Sequence, residues 1–257
     1  DPAECFDFTA QAFDLAERLQ SPVFVMTDLD IGMNTRLCAP FHWDDTKSYD
    51  RGKVMSHNDL ETGKDFGRYL DVDGDGIPYR TYPGTHPTKG GYFTRGTTKD
   101  RYGRYSEAGP DYVYNMERLL RKFETAKKLV PRPLLTPADK PARFGAIFYG
   151  STAPAMYEAL DVLSSRGIHV NALRVRGFPF ADEIADFTAS HPWVFVVEQN
   201  RDAQLKTLLV NEAKVNPSRL LSILHYDGTP ITARHIVEQI SQHAAARTVV
   251  PLKKVVS

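Results

Sequence analysis

Apolar and polar residues alternate with a helical period near the start of the chain. Apolar residues recur three to four positions apart over 3–20, which predicts an amphipathic helix. A continuous apolar run from Val23 to Met26 then predicts a strand over 22–28 that is covered on both faces. A polar loop follows this strand, at the edge where α/β sheets usually bind ligands. Because the apolar stripe begins at Cys5 and needs a partner surface, we expect the chain to start within a domain.

Residues 35–110 contain no clear periodic element, although aromatic residues occur throughout them. So many aromatic residues argue against disorder, so we expect an ordered excursion that packs on another surface, such as another subunit. Helical spacing returns over 111–129, and Val130 with its following prolines ends that helix and opens a linker to Pro141. The predicted apolar stripe of this helix consists of Val113, Met116, Leu119, Leu120 and Phe123.

From residue 143 onward, apolar strands and amphipathic helices alternate about every 25 residues, the rhythm of βαβ units. This pattern predicts an open, mostly parallel α/β sheet of four to five strands flanked by helices. The predicted strands are 144–149, 170–175, 194–198 and 220–225, and the predicted helices are 153–166, 181–190, 202–213 and 232–243.

Composition narrows the possible partners. Apolar residues make up 42% of the 257, the formal net charge is zero, and basic residues are interleaved with acidic ones, so we expect no nucleic-acid partner. We also expect no membrane partner, because no apolar run approaches the roughly 20 residues of a membrane span. Cys5 and Cys38 are too few for a disulfide framework or for an iron–sulfur cluster, which needs about four thiolates. We therefore expect a cytoplasmic location.

Two strand-to-helix turns in the second half of the chain are candidate sites. Residues 150–152 could cradle an anion at a helix N-terminus, but an N-cap by Ser151 or Thr152 is the favoured interpretation. Residues 198–205 follow a buried strand, and there we favour a turn capped by Asn200 or Asp202, with interface contacts, over a ligand site. The dinucleotide fingerprint of three spaced glycines is absent, which disfavours a nicotinamide cofactor.

Three further features of the sequence are candidate sites. The acidic stretch 71–76 begins like a calcium loop, but position 12 is Tyr82 instead of Glu, so a solvated acidic turn is favoured over a cation site. The loop 97–104 is rich in basic and hydroxyl residues, which suits a carboxylate, a coenzyme phosphate or equally a rim of salt bridges between subunits. Four histidines are expected to be surface or hydrogen-bonded residues rather than metal ligands: His42, His57, His86 and His225.

Several segments, taken in order, resemble the α subunit of the thiamine-diphosphate-dependent 2-oxoacid:ferredoxin oxidoreductases. The resemblance covers nearly the whole chain, and its motifs are 4–8, 16–25, 28–34, Arg-Thr-Tyr-Pro-Gly-Thr at 80–85, 95–97, 102–107 and 197–205. The long excursion is similar to proteins in which γ and α parts are fused, and these are usually 2-oxoglutarate enzymes. Many relatives have His-Asp-Glu where this chain has Lys-Asp-Arg at 99–101.

The resemblance implies a domain plan and a reaction. Residues 1–40 would be the second half of a thiamine-pyrimidine-binding domain, 41–142 an excursion with a helix and linker, and 143–257 a transketolase C-terminal-like domain. The complete enzyme would convert 2-oxoglutarate, coenzyme A and oxidised ferredoxin to succinyl-CoA, CO2 and reduced ferredoxin. Thiamine diphosphate with Mg2+ and a [4Fe-4S] cluster would be held mainly by the β subunit. Other partners would be an upstream γ/α polypeptide and ferredoxin, in a heterotetramer.

The resemblance carries over no catalytic residue and no metal ligand to this chain, because the family's activating glutamate and substrate motifs would lie upstream. Residues close to the cofactor would be Asp28, Asp30 and Asn34. Candidates near substrate or coenzyme A would be Arg80, Arg95 and Lys99.

Two alternatives stay open beside the enzyme-subunit interpretation. The chain could be a non-catalytic assembly module of a related pyruvate or branched-chain 2-oxoacid:acceptor oxidoreductase. A small-molecule-binding α/β protein of the periplasmic type is less favoured, because no signal sequence is visible.

Overall fold

The structure is a computed structural model that describes residues 1–94 and 96–248. Contacts within the chain divide it into two compact units. The sheet unit comprises residues 1–2, 27–37 and 131–248, and the loop unit comprises 3–26, 38–94 and 96–130. The predicted boundaries at 40 and 142 stay predictions.

The described residues form eight α-helices. They are α1 (Pro2–Leu19), α2 (Leu29–Met33), α3 (His57–Glu61), α4 (Gly109–Ala126), α5 (Ala153–Ser165), α6 (Asp182–Ala189), α7 (Gln204–Glu212) and α8 (Ala233–Thr248). The six helices predicted over 3–20, 111–129, 153–166, 181–190, 202–213 and 232–243 are confirmed to within a few residues, except that α8 runs further.

The sheet unit contains one five-stranded sheet in the order β1-β3-β2-β4-β5. Its strands are β1 (Leu134–Thr136), β2 (Phe144–Tyr149), β3 (Val170–Val175), β4 (Trp193–Glu198) and β5 (Leu220–Leu224). β2 to β5 are parallel, and β1 pairs antiparallel with β3 at one edge. The predicted open, mostly parallel sheet is therefore confirmed. The linker prediction is wrong over 134–136, because hydrogen bonds to the free edge of β3 order this stretch as β1.

Helices cover both faces of this sheet. Ala146 and Phe148 of β2 pack into a core with Met156 of α5 and Ile236 of α8. Ile147, between them in sequence, belongs to the opposite core, which residues of α6 and α7 complete. Since neighbouring residues of a strand point to opposite faces, a strand buried on both faces needs a continuous apolar run. This is why β2 and β4 read as uninterrupted apolar segments.

The predicted strand over 22–28 is wrong. This stretch is extended, but it pairs with no strand among the described residues. Phe24 and Met26 are 81% and 83% exposed. A single extended segment leaves its backbone groups without ladder partners, so a strand forms only where a neighbouring strand is supplied.

The loop unit is organised around α1 and α4. Its small core contains Leu15 and Leu19 of α1, Ile77 of the excursion and Ala126 of α4. Between the helices, the excursion is ordered by turns, by α3 and by isolated bridges rather than by a sheet. The prediction of an ordered excursion without periodic elements is thus confirmed, apart from the short α3.

The buried side of helix α4 is not the side that carries its predicted apolar stripe. Asn115, Arg118 and Lys122 are buried, at 6–8% exposed, because the excursion folds over them. The predicted apolar stripe lies largely at the surface, with Leu120 67% and Phe123 51% exposed. The predicted stripe therefore stays largely uncovered within the described part of the chain.

Candidate functional site

The carboxyl ends of β2 and β4 bring a polar cluster together in the sheet unit. Gln199 Nε2, just after β4, donates to Ser151 Oγ at 3.0 Å and to Thr152 Oγ1 at 3.3 Å. The Ser151 hydroxyl in turn donates to Asp28 Oδ2. Asp28 also caps α2, because its Oδ1 accepts from the Ile31 N–H at 2.9 Å. The turn after β2 is thus tied to the loop that carries the predicted cofactor-proximal residues.

Thr152 occupies the favoured N-cap position of α5, but the expected side-chain cap bond is missing. Neither Ser151 nor Thr152 makes a side-chain cap bond to α5, because a 3-10 turn over these residues leads directly into the helix. Their hydroxyls bond to Gln199 and Asp28 instead, so these side chains connect strand ends rather than close a helix.

All three predicted cofactor-proximal residues lie at α2, and their polar groups differ in availability. Both Asp28 oxygens already accept hydrogen bonds. Asp30 is paired with Arg36 Nη2 at 3.2 Å. Asn34 follows α2 as its C-cap and is exposed. The structure therefore brings these residues together, with Asn34 as the most accessible side chain.

Glu198 is the buried centre of the turn after β4. Its side chain is fully buried, and Oε2 accepts from Leu205 N at 2.7 Å and from Asn200 Nδ2 at 2.7 Å, while Oε1 accepts from Lys206 N at 3.3 Å. A carboxylate at a helix N-terminus satisfies free N–H groups and suits the helix dipole. The capped-turn interpretation is confirmed, with Glu198 as the main acceptor.

Sequence reasoning missed the role of Glu198 and assigned the cap to Asn200 or Asp202. Asn200 Oδ1 contributes by accepting from Gln204 N at 3.2 Å, whereas the Asp202 carboxylate pairs with Arg201 at the surface. The available signal was an acidic residue that directly ends a buried strand, a few residues ahead of a helix.

Tyr149 lies beside this cluster at the end of β2. Burial raises the pKa of its phenol, and the negative charges of Glu198 and Asp28 raise it further, against a smaller lowering by the bond to Asn200. The phenol therefore stays protonated at neutral pH and can donate a hydrogen bond at this edge of the sheet.

The three candidates for substrate or coenzyme lie in the loop unit or outside the described residues. Arg80 is paired with Glu17, and its Nη2 also donates to the Arg51 carbonyl at 2.8 Å, so its contacts are internal. Lys99 lines a cavity of about 380 Å³, and its ammonium lies 4.8 Å from the ring centre of Tyr69. Arg95 lies outside the described residues.

The loop that carries Lys99 is held by its own turn. Asp100 Oδ1 accepts from the N–H groups of Tyr102 and Arg104, both at 2.9 Å. The Arg101 guanidinium lies over the Tyr114 ring, 4.5 Å from its centre. Thr97, Thr98 and Lys99 line the cavity, whereas residues 100 and 101 are not among its described lining residues.

The acidic loop 71–76 differs from the solvated turn expected. The Asp71 side chain is only 2% exposed, pairs with Arg121 at 3.1 Å and accepts from Gly76 N at 3.0 Å. The Lys53 ammonium pairs with both Asp73 and Asp75, at 2.6 and 2.8 Å. Because Lys53 supplies the positive charge, this loop is an internal ion-pair cluster.

The histidines are hydrogen-bonded, as predicted. His86 Nδ1 accepts from the N–H groups of Thr88 and Lys89, so its Nε2 carries the proton and donates to Glu61. His57 stacks on His86 with ring centres 4.7 Å apart, and ligand atoms of His57, Glu61 and His86 lie within 4.8 Å of one another. A metal-bound histidine normally donates its second N–H. The backbone donors at His86 Nδ1 oppose that arrangement.

The remaining two predicted histidines differ in their contacts. His225 Nε2 lies 2.9 Å from the Thr229 carbonyl, and His42 is exposed. Among the described helices, none is long and apolar enough to cross a membrane.

Comparison with known proteins places these two units in context. No family model matches the chain. An α subunit of 2-oxoacid:ferredoxin oxidoreductase 2 from Aeropyrum pernix is 27% identical over 97% of this chain and 38% of its own length. The α subunit of the 2-oxoacid:ferredoxin oxidoreductase of Saccharolobus solfataricus is 24% identical over 93% of this chain and 37% of its own length. The chain thus spans less than half the length of these relatives.

A solved structure shares the fold. The 2-oxoglutarate:ferredoxin oxidoreductase from Magnetococcus marinus, solved with 2-oxoglutarate, coenzyme A and succinyl-CoA bound, matches with a TM-score of 0.74 and 20% identity, over 89% of this chain and 38% of that one. The α/β fold class is therefore confirmed. Over nearly its whole length this chain is similar to part of the α subunits of 2-oxoacid:ferredoxin oxidoreductases, as its motifs predicted.

Proposed function

We propose that this chain is part of the α subunit of a thiamine-diphosphate-dependent 2-oxoglutarate:ferredoxin oxidoreductase. The observation that carries the proposal is the similarity to named α subunits over 97% of the chain, together with the shared fold. The complete enzyme would decarboxylate 2-oxoglutarate, pass the electrons to ferredoxin and transfer the acyl group to coenzyme A. Thiamine diphosphate would supply the carbanion chemistry, while protein groups orient it and stabilise charge.

The choice of 2-oxoglutarate has two supports. The excursion has the long form found in fused γ–α chains, and the Magnetococcus marinus enzyme of the same fold binds 2-oxoglutarate and coenzyme A. The runner-up is an assembly module of a pyruvate or branched-chain 2-oxoacid:acceptor oxidoreductase. The exposed apolar surfaces at 22–26 and on α4 favour an assembly role, which is compatible with either substrate.

The described residues do not fit a complete cofactor site. Diphosphate-bound Mg2+ needs free carboxylate or carbonyl oxygens, but the carboxylates of Asp28 and Asp30 already accept hydrogen bonds or pair with Arg36. A [4Fe-4S] cluster needs about four thiolates, and the chain has two cysteines. We therefore propose that the β subunit holds both groups, and that Asp28, through Ser151 and Gln199, positions the loop facing them.

The apolar stretch 22–28 is the proposed point of contact with the upstream γ/α polypeptide. We propose that it becomes a strand once neighbouring strands are supplied, and that residues 1–40 then complete a pyrimidine-binding domain. Phe24 and Met26 support this assignment, because they lie on one face of the extended segment and are exposed for a partner to cover. Residues 143–257 would form the transketolase C-terminal-like domain beside it.

The test is turnover by the assembled enzyme that contains this chain. With coenzyme A and oxidised ferredoxin, we expect 2-oxoglutarate to give succinyl-CoA and reduced ferredoxin, with much lower rates for pyruvate and 2-oxoisovalerate. The chain by itself should show no turnover. Preference for pyruvate would overturn the substrate assignment, and turnover by the isolated chain would overturn the subunit assignment.

Arg80 separates catalytic from assembly roles within that enzyme. An Arg80→Met variant that keeps its KM for 2-oxoglutarate and coenzyme A but assembles poorly would assign Arg80 to assembly. A matched control is Arg51→Met, because Arg51 lies 4.0 Å from the same Glu17 but is 63% exposed. A selective rise in KM for Arg80→Met would instead place Arg80 near a ligand.

A further inference from the structure

The loop unit encloses a cavity of about 380 Å³ between the end of α1, residues 96–99 and α4. This volume lies in the range of small-molecule sites, which is about 300–1,000 Å³. The described polar residues that line it are Gln20, Arg68, Tyr69, Lys99, Asn115 and Arg118, with Lys122, Tyr112 and two threonines.

Positive charge dominates this cavity. Arg68, Lys99, Arg118 and Lys122 all line it, and its described lining residues include no aspartate or glutamate. Arg118 and Lys122 are only 6% and 8% exposed. Buried charges of one sign are costly unless an opposite charge accompanies them. The cavity therefore brings several cations together, and no acidic side chain among its described lining residues balances their charge.

The described side-chain hydrogen bonds of Arg118 and Lys122 are to neutral groups. Arg118 Nη1 donates to the Gly76 carbonyl at 3.0 Å, and Lys122 Nζ donates to Ser21 Oγ. Buried Nε atoms of both Arg118 and Arg68 have no partner in the described structure. Since a buried donor left unpaired is unfavourable, these two nitrogens add to the cost of burying the cationic cluster.

The Asp71 carboxylate, which attracts Arg118, is engaged by other residues. Asp71 attracts Arg118 at longer range, but its carboxylate pairs with Arg121 and accepts from Gly76 N. Burial, together with repulsion by Arg118 and Arg68, lowers the pKa of Lys122 to about 8. The Asp71 carboxylate therefore does not neutralise the positive charge of Arg118, Lys122 and Arg68.

Neutral groups complete a polar lining. The side chains of Gln20 and Asn115 line the cavity, and their buried amide oxygens have no donor in the described structure. The Tyr69 ring lies beneath three of the cations, with Arg68 and Arg118 at 5.5 and 5.8 Å from its centre. Cations stacked on a ring are held in place, which prepares their N–H groups for a ligand.

We propose that this cavity binds an oxyanion, a phosphate or carboxylate group of a small molecule, through Arg68, Arg118 and Lys122. Guanidinium groups match the geometry of both anions. The proposal does not depend on the proposed enzymatic function, because it rests on the charge and bonding of the loop unit itself. Free phosphate, a coenzyme phosphate and a 2-oxoacid carboxylate are sources of the same chemistry.

Calorimetric titration of the 257-residue chain with inorganic phosphate tests the site. We expect saturable one-to-one binding, and Arg118→Met or Lys122→Met should weaken it about tenfold or more, since each removes one charged donor. Arg121→Met is the matched control on the same helix, because Arg121 pairs with Asp71 and does not line the cavity. Absent binding, or equal Kd values for wild type and Lys122→Met, would overturn the proposal.

A thermal readout keeps the test decisive if a variant is destabilised. Without phosphate, Lys122→Met should unfold at a temperature no lower than wild type, because it removes a buried charge from a cationic cluster. Added phosphate should raise the unfolding temperature of wild type but barely that of the variant. An equal rise for both would contradict the assigned site.

Two further titrations identify the source of the anion. Coenzyme A binding that Lys122→Met weakens points to a coenzyme phosphate, whereas 2-oxoglutarate binding with the same dependence points to a carboxylate. Phosphate binding alone leaves a site for a free anion. If turnover by the assembled enzyme fails while these titrations succeed, the proposed function is wrong and the anion site stands.

Sulfate provides the pH test, because it does not titrate near neutrality. Lys122 faces Arg118 and Arg68, with Lys99 along the same cavity and Ser21 at the end of α1 as its hydrogen-bond partner. Sulfate affinity should fall as pH rises through about 8, where the ammonium loses its proton. Lys122→Met should abolish this fall, and an unchanged fall in the variant would assign it to another group.

Discussion

The sheet unit and the loop unit place their apolar and charged residues in opposite ways. In the sheet unit, β2 and β4 are buried between two helical layers, and the charged Glu198 inside has three hydrogen bonds. In the loop unit, α4 buries Arg118 and Lys122 and exposes Leu120 and Phe123. In the sheet unit, helices on both faces cover the apolar strands. The loop unit leaves both apolar surface and buried charge for other molecules to satisfy.

The largest expected contrast comes from removing one leucine from each unit. Leu163→Ala in α5 should lower the free energy of unfolding by about 2–5 kcal/mol, because Leu163 is completely buried and its loss leaves a cavity. Leu120→Ala in α4 should change it by less than about 0.5 kcal/mol. Urea unfolding of the two variants measures the difference. A comparable loss for both would mean that the α4 stripe is already covered in the isolated chain.

Gly76 tests how tightly the acidic loop packs on α4. A Cβ there would lie 2.3 Å from Lys122 N and 2.5 Å from the Arg118 carbonyl oxygen, and the residue has φ +79°. Gly76→Ala should therefore destabilise the chain by about 3 kcal/mol. Gly74→Ala is the control, with φ +77° but no atom within 4 Å, and should cost about 1 kcal/mol. Equal losses in thermal unfolding would remove the packing argument.

Lys122 gives the loop unit a pH dependence. Its folded pKa of about 8 lies below the ordinary value of 10.5, so the unfolded chain binds more protons between those values. The contribution of Lys122 to stability therefore rises by about 3 kcal/mol from pH 8 to 10.5 and is constant outside that window. The difference between wild type and Lys122→Met, measured by urea unfolding at several pH values, isolates this rise. A difference independent of pH would contradict the buried charge.

The smallest expected effect is at Glu198. Glu198→Gln keeps the shape of the side chain but removes the charge at the start of α7, which should cost about 1–2 kcal/mol. The pKa of Tyr149 should fall, since the negative charge of Glu198 helps to raise it. Asp202→Asn, at the surface beside Arg201, serves as the control and should change neither quantity. An unchanged absorbance titration of Tyr149 would contradict the electrostatic link.

The sheet unit could be predicted from sequence because its elements satisfy one another locally. Apolar strands of five to six residues separated by amphipathic helices admit few arrangements other than an open parallel sheet. The prediction missed β1, since Leu134–Thr136 follows two prolines and is too short to show a period. It also missed Glu198 as the cap, because the role of a buried carboxylate depends on where the next helix begins.

The loop unit was harder to predict because periodicity identifies an apolar face without stating what covers it. The stripe on α4 and the run over 22–28 were both identified as apolar surfaces, but their partners are not among the described residues. Among the site candidates, the polar residues around Asp28 could be predicted, because α/β sheets usually bind ligands at the carboxyl ends of their strands. Arg118 and Lys122 could not be foreseen, since only the folded excursion brings Arg68 and residues 96–99 beside them.

Hydrogen exchange of the backbone amides of residues 23–26 tests most directly whether other polypeptide completes this chain. We expect rapid exchange in the isolated chain, where this extended segment has no strand partner among the described residues, and strong protection in the proposed assembled enzyme. Protection in the isolated chain, or continued rapid exchange in the active enzyme, would contradict it.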